Sequence, residues 1–223
     1  MVIGQDEVTG QPPELDWREG GVPVSRRFGD PYFSLDGGLD ETRHVFLAGN
    51  DLPARLKPHF QIAELGFGTG LNLLALAQVS EVPVKFTSFE AFPMTIPQME
   101  QAHSAFPELA GLAAELRKAL THGTLFRIGK VMVDLQIGDA RALLPEWPFK
   151  ADAWFLDGFA PARNPELWSP EMMKLVAKHT APKGTFATYT AAGSVREALA
   201  EAGFTLERVA GFGRKKHMTK GRL

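Results

Sequence analysis

The 223-residue chain contains no cysteine. This excludes a disulfide scaffold, thiolate zinc sites, iron–sulfur ligation and a cysteine nucleophile. It also has no apolar run of about 18 residues, the length a membrane-spanning helix needs, and its first thirty residues lack the charged-then-apolar pattern of a signal peptide. No membrane association is expected, and a cytoplasmic address is the default. Neither charge is in excess: 24 Lys+Arg stand against 26 Asp+Glu, a net charge of −2. Wholesale wrapping of nucleic acid is therefore disfavoured, although a local basic patch is not. What remains is ordinary globular composition, 44% apolar and 22% charged, at a length that buries a sizeable core.

The charges are segregated. From Glu207 onward Arg208, Arg214, Lys215, Lys216, Lys220 and Arg222 meet only that single acid, so the remaining chain is clearly acidic. Such an end is either a solvated, frayed tail or a patch for an anionic partner.

Residues 1–59 read as a loop-rich N-terminal extension, with short strands around Val22–Ser25 and Tyr32–Ser34 and a helical stretch from Asp40, which is placed as its cap. From Phe60 the pattern becomes regular. The runs QIAELG, VKFTSFE, VMVDLQIGD, ADAWFLDGF, GTFATYT and FTLERVAGFG read as strands. Helical stretches alternate with them: LNLLALAQV, residues 96–120, ARALLPEW, SPEMMKLVAKHT and SVREALAEAG. Strand–helix alternation implies crossover connections and a mostly parallel sheet with helices on both faces. Ser169-Pro170-Glu171 is a helix start, with a serine cap, proline in the first turn and an acid at the positive dipole end. One α/β domain over 60–223, carrying the extension, is the expected organisation.

The sharpest motif is Glu64-Leu65-Gly66-Phe67-Gly68-Thr69-Gly70-Leu71-Asn72, where a strand gives way to a helix. Glycines there allow a tight turn and close approach of a ligand, at the edge of an open α/β sheet where ligands bind. The spacing is G-x-G-x-G, not the G-x-G-x-x-G of dinucleotide sites, and no Gly-Lys-Ser/Thr follows. It resembles the S-adenosylmethionine loop of class I methyltransferases. That cofactor is cationic and has no phosphate, so an acid at the turn is tolerable. Two more acids end strands: Glu90, placed to accept ribose hydroxyls, and Asp139, which the resemblance puts beside the adenine. Any one of them alone reads as a loop or capping acid; three at successive strand tips read as a site.

A fourth strand delivers Asp157, followed by Gly158, Phe159, Ala160 and Pro161. Enzymes that methylate exocyclic amines on bases resemble this arrangement, a polar side chain plus an aromatic ring that holds a flat base. Stacking on such a ring is worth roughly 1–3 kcal/mol. An ordinary aspartate has a pKa of about 3.9 against about 10 for an alkylamine. Orientation of the amine and charge stabilisation therefore come first for Asp157, and proton removal second or through water.

Several motifs occur in order: PVSRRFGDPYFSLDGGLDETRHVFLAGN, ELGFGTGLN, FEAFP, DAWFLDGFAPARNPELW, FATYTAAG with the Val-Arg that follows, and GFGRKKHM. Together they resemble the methyltransferase module of the bacterial tRNA 5-methylaminomethyl-2-thiouridine biosynthesis family, over nearly all of residues 20–220. The resemblance implies a class I methyltransferase fold, with a Rossmann-like, mostly parallel seven-stranded sheet. It implies S-adenosyl-L-methionine as cofactor, no metal, and methylation of the aminomethyl group on a tRNA wobble uridine. It places the cofactor against Glu64, Gly66, Phe67, Gly68, Gly70, Asn72, Glu90, Asp139 and Ala140, and the target amine near Asp157 and Phe159. Tyr32, Asp36, Arg43, Tyr189, Arg214, Lys215 and Lys216 are its substrate-side candidates. Many members continue into a flavin-dependent oxidase, of which no second glycine fingerprint is seen here. The expectation is a chain that only methylates, coupled to a separate oxidase or aminomethyl-forming pathway. Three rivals stand beside this reading: a class I methyltransferase on another amine, a nicotinamide oxidoreductase, and a non-catalytic tRNA-binding scaffold.

Overall fold

A computed structural model describes residues 10–34 and 37–223; Asp36, one of the substrate-side candidates, lies outside the described residues. Among the described residues three short antiparallel strands come first, β1 (Leu15–Arg18), β2 (Val22–Ser25) and β3 (Asp30–Pro31). The second coincides with expectation. The third lies two residues before the expected Tyr32–Ser34: the Tyr32 N–H still bonds to the Pro23 carbonyl, but Pro23 has no N–H to give back, so the ladder ends there. Helix α1 (Gly38–Thr42) is capped by Gly37 in the left-handed conformation. Asp40 is not the cap; its carboxylate takes the Arg43 guanidinium instead. The chain then runs through a π-turn and a 3-10 turn to Asn50. Val22, Phe33, Leu39, Val45, Phe46 and Leu47 are buried in one hydrophobic cluster with Ile62 and Leu73 of the main body, so the extension shares the core.

Among the described residues the main sheet contains eight strands, one more than the seven expected. Its elements are β4 (Gln61–Leu65), α2 (Leu71–Val79), β5 (Val84–Glu90), α3 (Ile96–His103) and α4 (Ala110–Leu120). The hairpin β6 (Leu125–Ile128) and β7 (Val131–Ile137) follows, then α5 (Ala140–Leu143), β8 (Ala151–Leu156), α6 (Pro170–Lys178), β9 (Thr180–Thr188) and α7 (Gly193–Glu201). A last hairpin, β10 (Thr205–Ala210) and β11 (His217–Arg222), closes the chain's contribution. The spatial order is β10-β11-β9-β8-β4-β5-β7-β6. Pairs from β9 through β7 are parallel, and the pairs at both ends are antiparallel.

Two departures have local causes. The helical stretch expected over 96–120 is two helices, because Pro107 opens a 3-10 turn between them and cannot supply the N–H a continuous helix needs. The basic end is no frayed tail: its alternating residues pair in register with both β9 and β10, and Met218 and Thr219 are buried.

Candidate active site

Strand β4 is buried along its whole length between two faces of helices, so its single acid has nowhere to reach solvent. Register places Glu64 opposite Ser88 of β5, and the Ser88 hydroxyl donates to one of its carboxylate oxygens while Asn72 Nδ2 donates to the other at 2.8 Å. Burial pushes Glu64 well above the ordinary carboxylate range, against those two bonds. Glu64 thus lies beneath the glycine loop and does not line the cavity, a correction to the direct cofactor contact expected from sequence.

The loop itself is tightly determined. Gly68 has φ +54° and Gly70 φ +76°; a Cβ on Gly70 would stand 2.8 Å from Leu116 Cδ2 and 2.9 Å from Phe67 Cζ. Leu71 then begins α2 with no side-chain cap. His103, from α3, binds the Thr69 carbonyl through Nε2 at 2.7 Å. Burial holds that imidazole below its usual pKa, so it donates as a neutral ring, with Arg117 against its other nitrogen at 3.2 Å. Nothing in the sequence pattern pointed to His103.

The carboxyl edge of the sheet opens into a cavity of about 890 Å³, lined by Gly66, Phe67, Gly68, Asn72 and Ala140 among others. That lies near the upper end for small-molecule sites. Glu90, at the tip of β5, accepts the Gly68 N–H at 2.8 Å and the Phe92 N–H at 2.7 Å. Burial raises its pKa, and those N–H groups oppose the rise. Asp139, at the tip of β7, caps α5 through the Arg141 N–H and clasps the Arg141 guanidinium. Although burial works against it, the Arg141 bonds prevail and hold Asp139 below the usual carboxylate range.

Asp157 emerges from β8 at the cavity floor, half-buried. Its Oδ1 accepts its neighbour's N–H, from Gly158, and its Oδ2 accepts Asn72 Nδ2, both at 2.8 Å. Burial pushes its pKa up to about 6, while the Gly158 and Asn72 bonds and the Lys215 charge hold it back. Asn72 therefore clamps two carboxylates with one amide nitrogen, and its own oxygen accepts the Thr42 hydroxyl at 3.0 Å.

Phe159 presents its ring to the same cavity. Phe28 stacks on it at 4.5 Å and Tyr32 meets its edge at 5.0 Å. Three hydrogen bonds fix this loop: Trp168 Nε1 to the Phe159 carbonyl, the Tyr189 hydroxyl to the Gly158 carbonyl, and the Ala160 N–H to Asp30, each 2.8 Å. Phe28 and Asp30 were not singled out in the sequence; both lie on the extension, which therefore builds one wall of the site. Burial raises the pKa of Tyr32 and of Tyr189, and the Glu90 and Asp157 charges respectively add to it, so both stay neutral.

The remaining substrate-side candidates divide. Lys215 overhangs the cavity, with Nζ 2.8 Å from Glu41 and 4.1 Å from the Tyr189 ring centre, and Arg214 is also in the lining. Lys216 is exposed and outside it. Arg43 does not reach the cavity either. Its guanidinium ties α1 to Glu108 and Gln78, in addition to Asp40, at 2.8–3.0 Å. Among the described residues no helix is long and apolar enough to cross a membrane.

A family profile described as S-adenosyl-L-methionine-dependent methyltransferase matches residues 107–223. The chain is similar to two curated proteins named tRNA 5-methylaminomethyl-2-thiouridine biosynthesis bifunctional protein MnmC. It is 45% identical to that of Stutzerimonas stutzeri over 96% of this chain, and 44% identical to that of Aeromonas hydrophila over 93%. It spans about a third (35%) of the length of each. Among solved structures it resembles MNMC2 from Aquifex aeolicus, with a TM-score of 0.73 and 27% identity, covering 96% of this chain and 72% of that one.

Proposed function

Because the chain belongs to the S-adenosyl-L-methionine-dependent methyltransferase family, we propose that it methylates the primary amine of a 5-aminomethyl-2-thiouridine at the wobble position of tRNA, giving the 5-methylaminomethyl form. The names of the two bifunctional relatives support the substrate. The observation that carries the chemistry is Asp157, a carboxylate fixed by two hydrogen bonds beside the pinned Phe159 ring.

The residues present fit the cofactor. Glu90 retains lone pairs beyond the two N–H groups it accepts, enough to take ribose hydroxyls. Asp139 and Ala140 line the end of the cavity where β7 terminates, the expected place of the adenine. Gly66 and Gly68 line the cavity, and a Cβ on Gly68 would stand 3.1 Å from Tyr32 Cδ1. When bound, the cofactor supplies an electrophilic methyl group on a sulfonium centre.

Phe159 gives the uracil ring a rigid surface, and Asp157 accepts an N–H of the aminomethyl group, which turns the nitrogen lone pair toward the methyl carbon. Methyl transfer is sensitive to in-line geometry, so this positioning supplies much of the rate. As the nitrogen becomes cationic, Asp157 stabilises the charge. Even raised to about 6, Asp157 is far less basic than an alkylamine near 10, so the substrate ammonium gives its one proton to solvent before the transfer, and the methylated amine leaves as the ammonium. A cytoplasmic address is consistent with a tRNA substrate.

The test is incubation with S-adenosyl-L-methionine and tRNA carrying an aminomethyl wobble uridine, read by nucleoside mass spectrometry. A 14 Da gain on that nucleoside is expected, the mass of one CH₂. Methylation confined to peptide or metabolite amines would overturn the substrate while leaving the reaction class intact.

A further inference from the structure

A second cavity, of about 400 Å³, adjoins the first and shares Arg27, Phe28, Tyr32 and Phe92 with it. Its far side is the Gln11–Glu14 segment, held in place by the Gly10 N–H on the Ala91 carbonyl and by Gln98 Nε2 on the Pro13 carbonyl. Nothing in the methyl-transfer chemistry uses this space. The residues that line both cavities are three aromatic rings and a cation. Phe28, whose ring is stacked on Phe159, meets Phe92 edge-on at 5.9 Å. The Arg27 guanidinium stands 5.0 Å from the Phe92 ring centre and 5.7 Å from that of Phe28.

Arg27 is exposed, and among the described residues no carboxylate pairs with it. The adjacent Arg26, by contrast, is neutralised by Asp16 at 2.8 Å. An unneutralised guanidinium between two aromatic-walled cavities suits a phosphodiester bracketed by two bases, since Arg binds phosphate through its planar fork and also stacks on rings. The far wall adds polar edges, Gln11 with both donors and an acceptor and Glu14 with acceptors only, the groups that meet base amino and imino N–H.

We propose that this second cavity receives the nucleobase next to the methylated nucleotide, with Arg27 on the phosphate that links the two. The proposal rests on the wobble-uridine reading of the first cavity and adds a second base to it. It makes the enzyme a reader of a splayed dinucleotide, in which aromatic stacking holds each base in its own compartment.

The experiment compares anticodon stem-loops carrying the aminomethyl uridine with versions made abasic at either neighbouring position, using wild-type protein and Arg27→Gln. Removing one neighbouring base is expected to lower wild-type kcat/KM roughly tenfold, within the range that stacking of one base supplies. In Arg27→Gln the intact stem-loop starts lower, and the same abasic change costs less than threefold, because base and phosphate are held together or not at all. If neither abasic change lowers kcat/KM, or if the loss is equal in both proteins, the second subsite is overturned and the first reading stands. If no stem-loop is methylated by either protein, both readings fall together.

Discussion

Replacing Asp157 by Asn separates catalysis from stability in opposite directions. Burial moves the carboxyl from an ordinary 3.8 to about 6 in the folded protein. Each tenfold change in proton affinity is worth about 1.4 kcal/mol, so the ionised form costs the fold about 3 kcal/mol. The sign follows from linkage. Below pH 4 the group is protonated both folded and unfolded, and no penalty applies. Between pH 4 and 6 the unfolded chain ionises first, and stability falls as pH rises. Above pH 6 the full penalty is present. Asn is neutral throughout and escapes it. Its amide must turn an NH₂ toward either the Gly158 N–H or Asn72 Nδ2, both at 2.8 Å from the present oxygens, but that repulsion is the same at every pH. The diagnostic quantity is therefore the change with pH: from pH 4 to 7.5 the variant gains about 2.4 kcal/mol on wild type, or roughly 5–10 °C in Tm for a chain of this size. Paired denaturant titrations at the two pH values measure it. Methyl transfer by the same variant falls by about 10²-fold or more, the loss typical when an electrostatic group aimed at a transition state is removed. An offset between variant and wild type that is equal at pH 4 and 7.5 would refute the reasoning.

Glu90→Gln removes the charge from the proposed ribose acceptor and should weaken S-adenosyl-L-methionine binding about 10- to 100-fold by calorimetry; an unchanged Kd would remove Glu90 from the cofactor's contacts. Lys215→Met takes away the cation that lowers the Asp157 pKa, so the acidic limb of the pH–kcat/KM profile should move roughly 0.5–1 pH unit upward. A shift downward, or none, would contradict the placement of Lys215 over Asp157. Gly70→Ala combines a left-handed backbone with contacts of 2.8 and 2.9 Å to Leu116 and Phe67. It should destabilise by about 2–4 kcal/mol in denaturant unfolding, and a loss below about 1 kcal/mol would mean that the loop relaxes freely.

The parallel core was readable because its strands are short apolar runs ending in Gly or acid, and its helices carry their own start signals. Leu71–Val79 and Val84–Glu90 fall where the pattern puts them. The edge strand β6 was not readable: Phe126 and Ile128 face inward, but the exposed position between turn and Phe126 is the apolar Leu125, so polar and apolar residues do not alternate. Strand β11 was hidden for a related reason. Its Lys220, Gly221 and Arg222 read as tail, and only pairing with β9 and β10 makes them a strand. In the site, Glu90, Asp139 and Asp157 were visible because strand tips at a sheet's carboxyl edge are where ligands bind. Glu64 was visible as a motif, but its depth was not, since burial depends on Ser88 and Asn72 arriving from elsewhere. Phe28 and Asp30 carry no periodic signal, and their part depends on a fold-back of the extension that no local propensity encodes.

The position of β11 between β9 and β10 has a consequence for biosynthesis. Strand β9 is nine residues long and buried from Gly184 through Thr188, yet the partner for its outer edge is made after β10. A nascent chain that has emerged as far as β10 therefore holds an open, apolar β-edge with the next strand unable to reach it, the state most prone to pairing with a neighbouring chain. Premature termination within the last hairpin would strip away two strands at once, because β10 is bonded to the sheet through β11. Slow codons just before the hairpin should lower the yield of folded protein more than slow codons elsewhere.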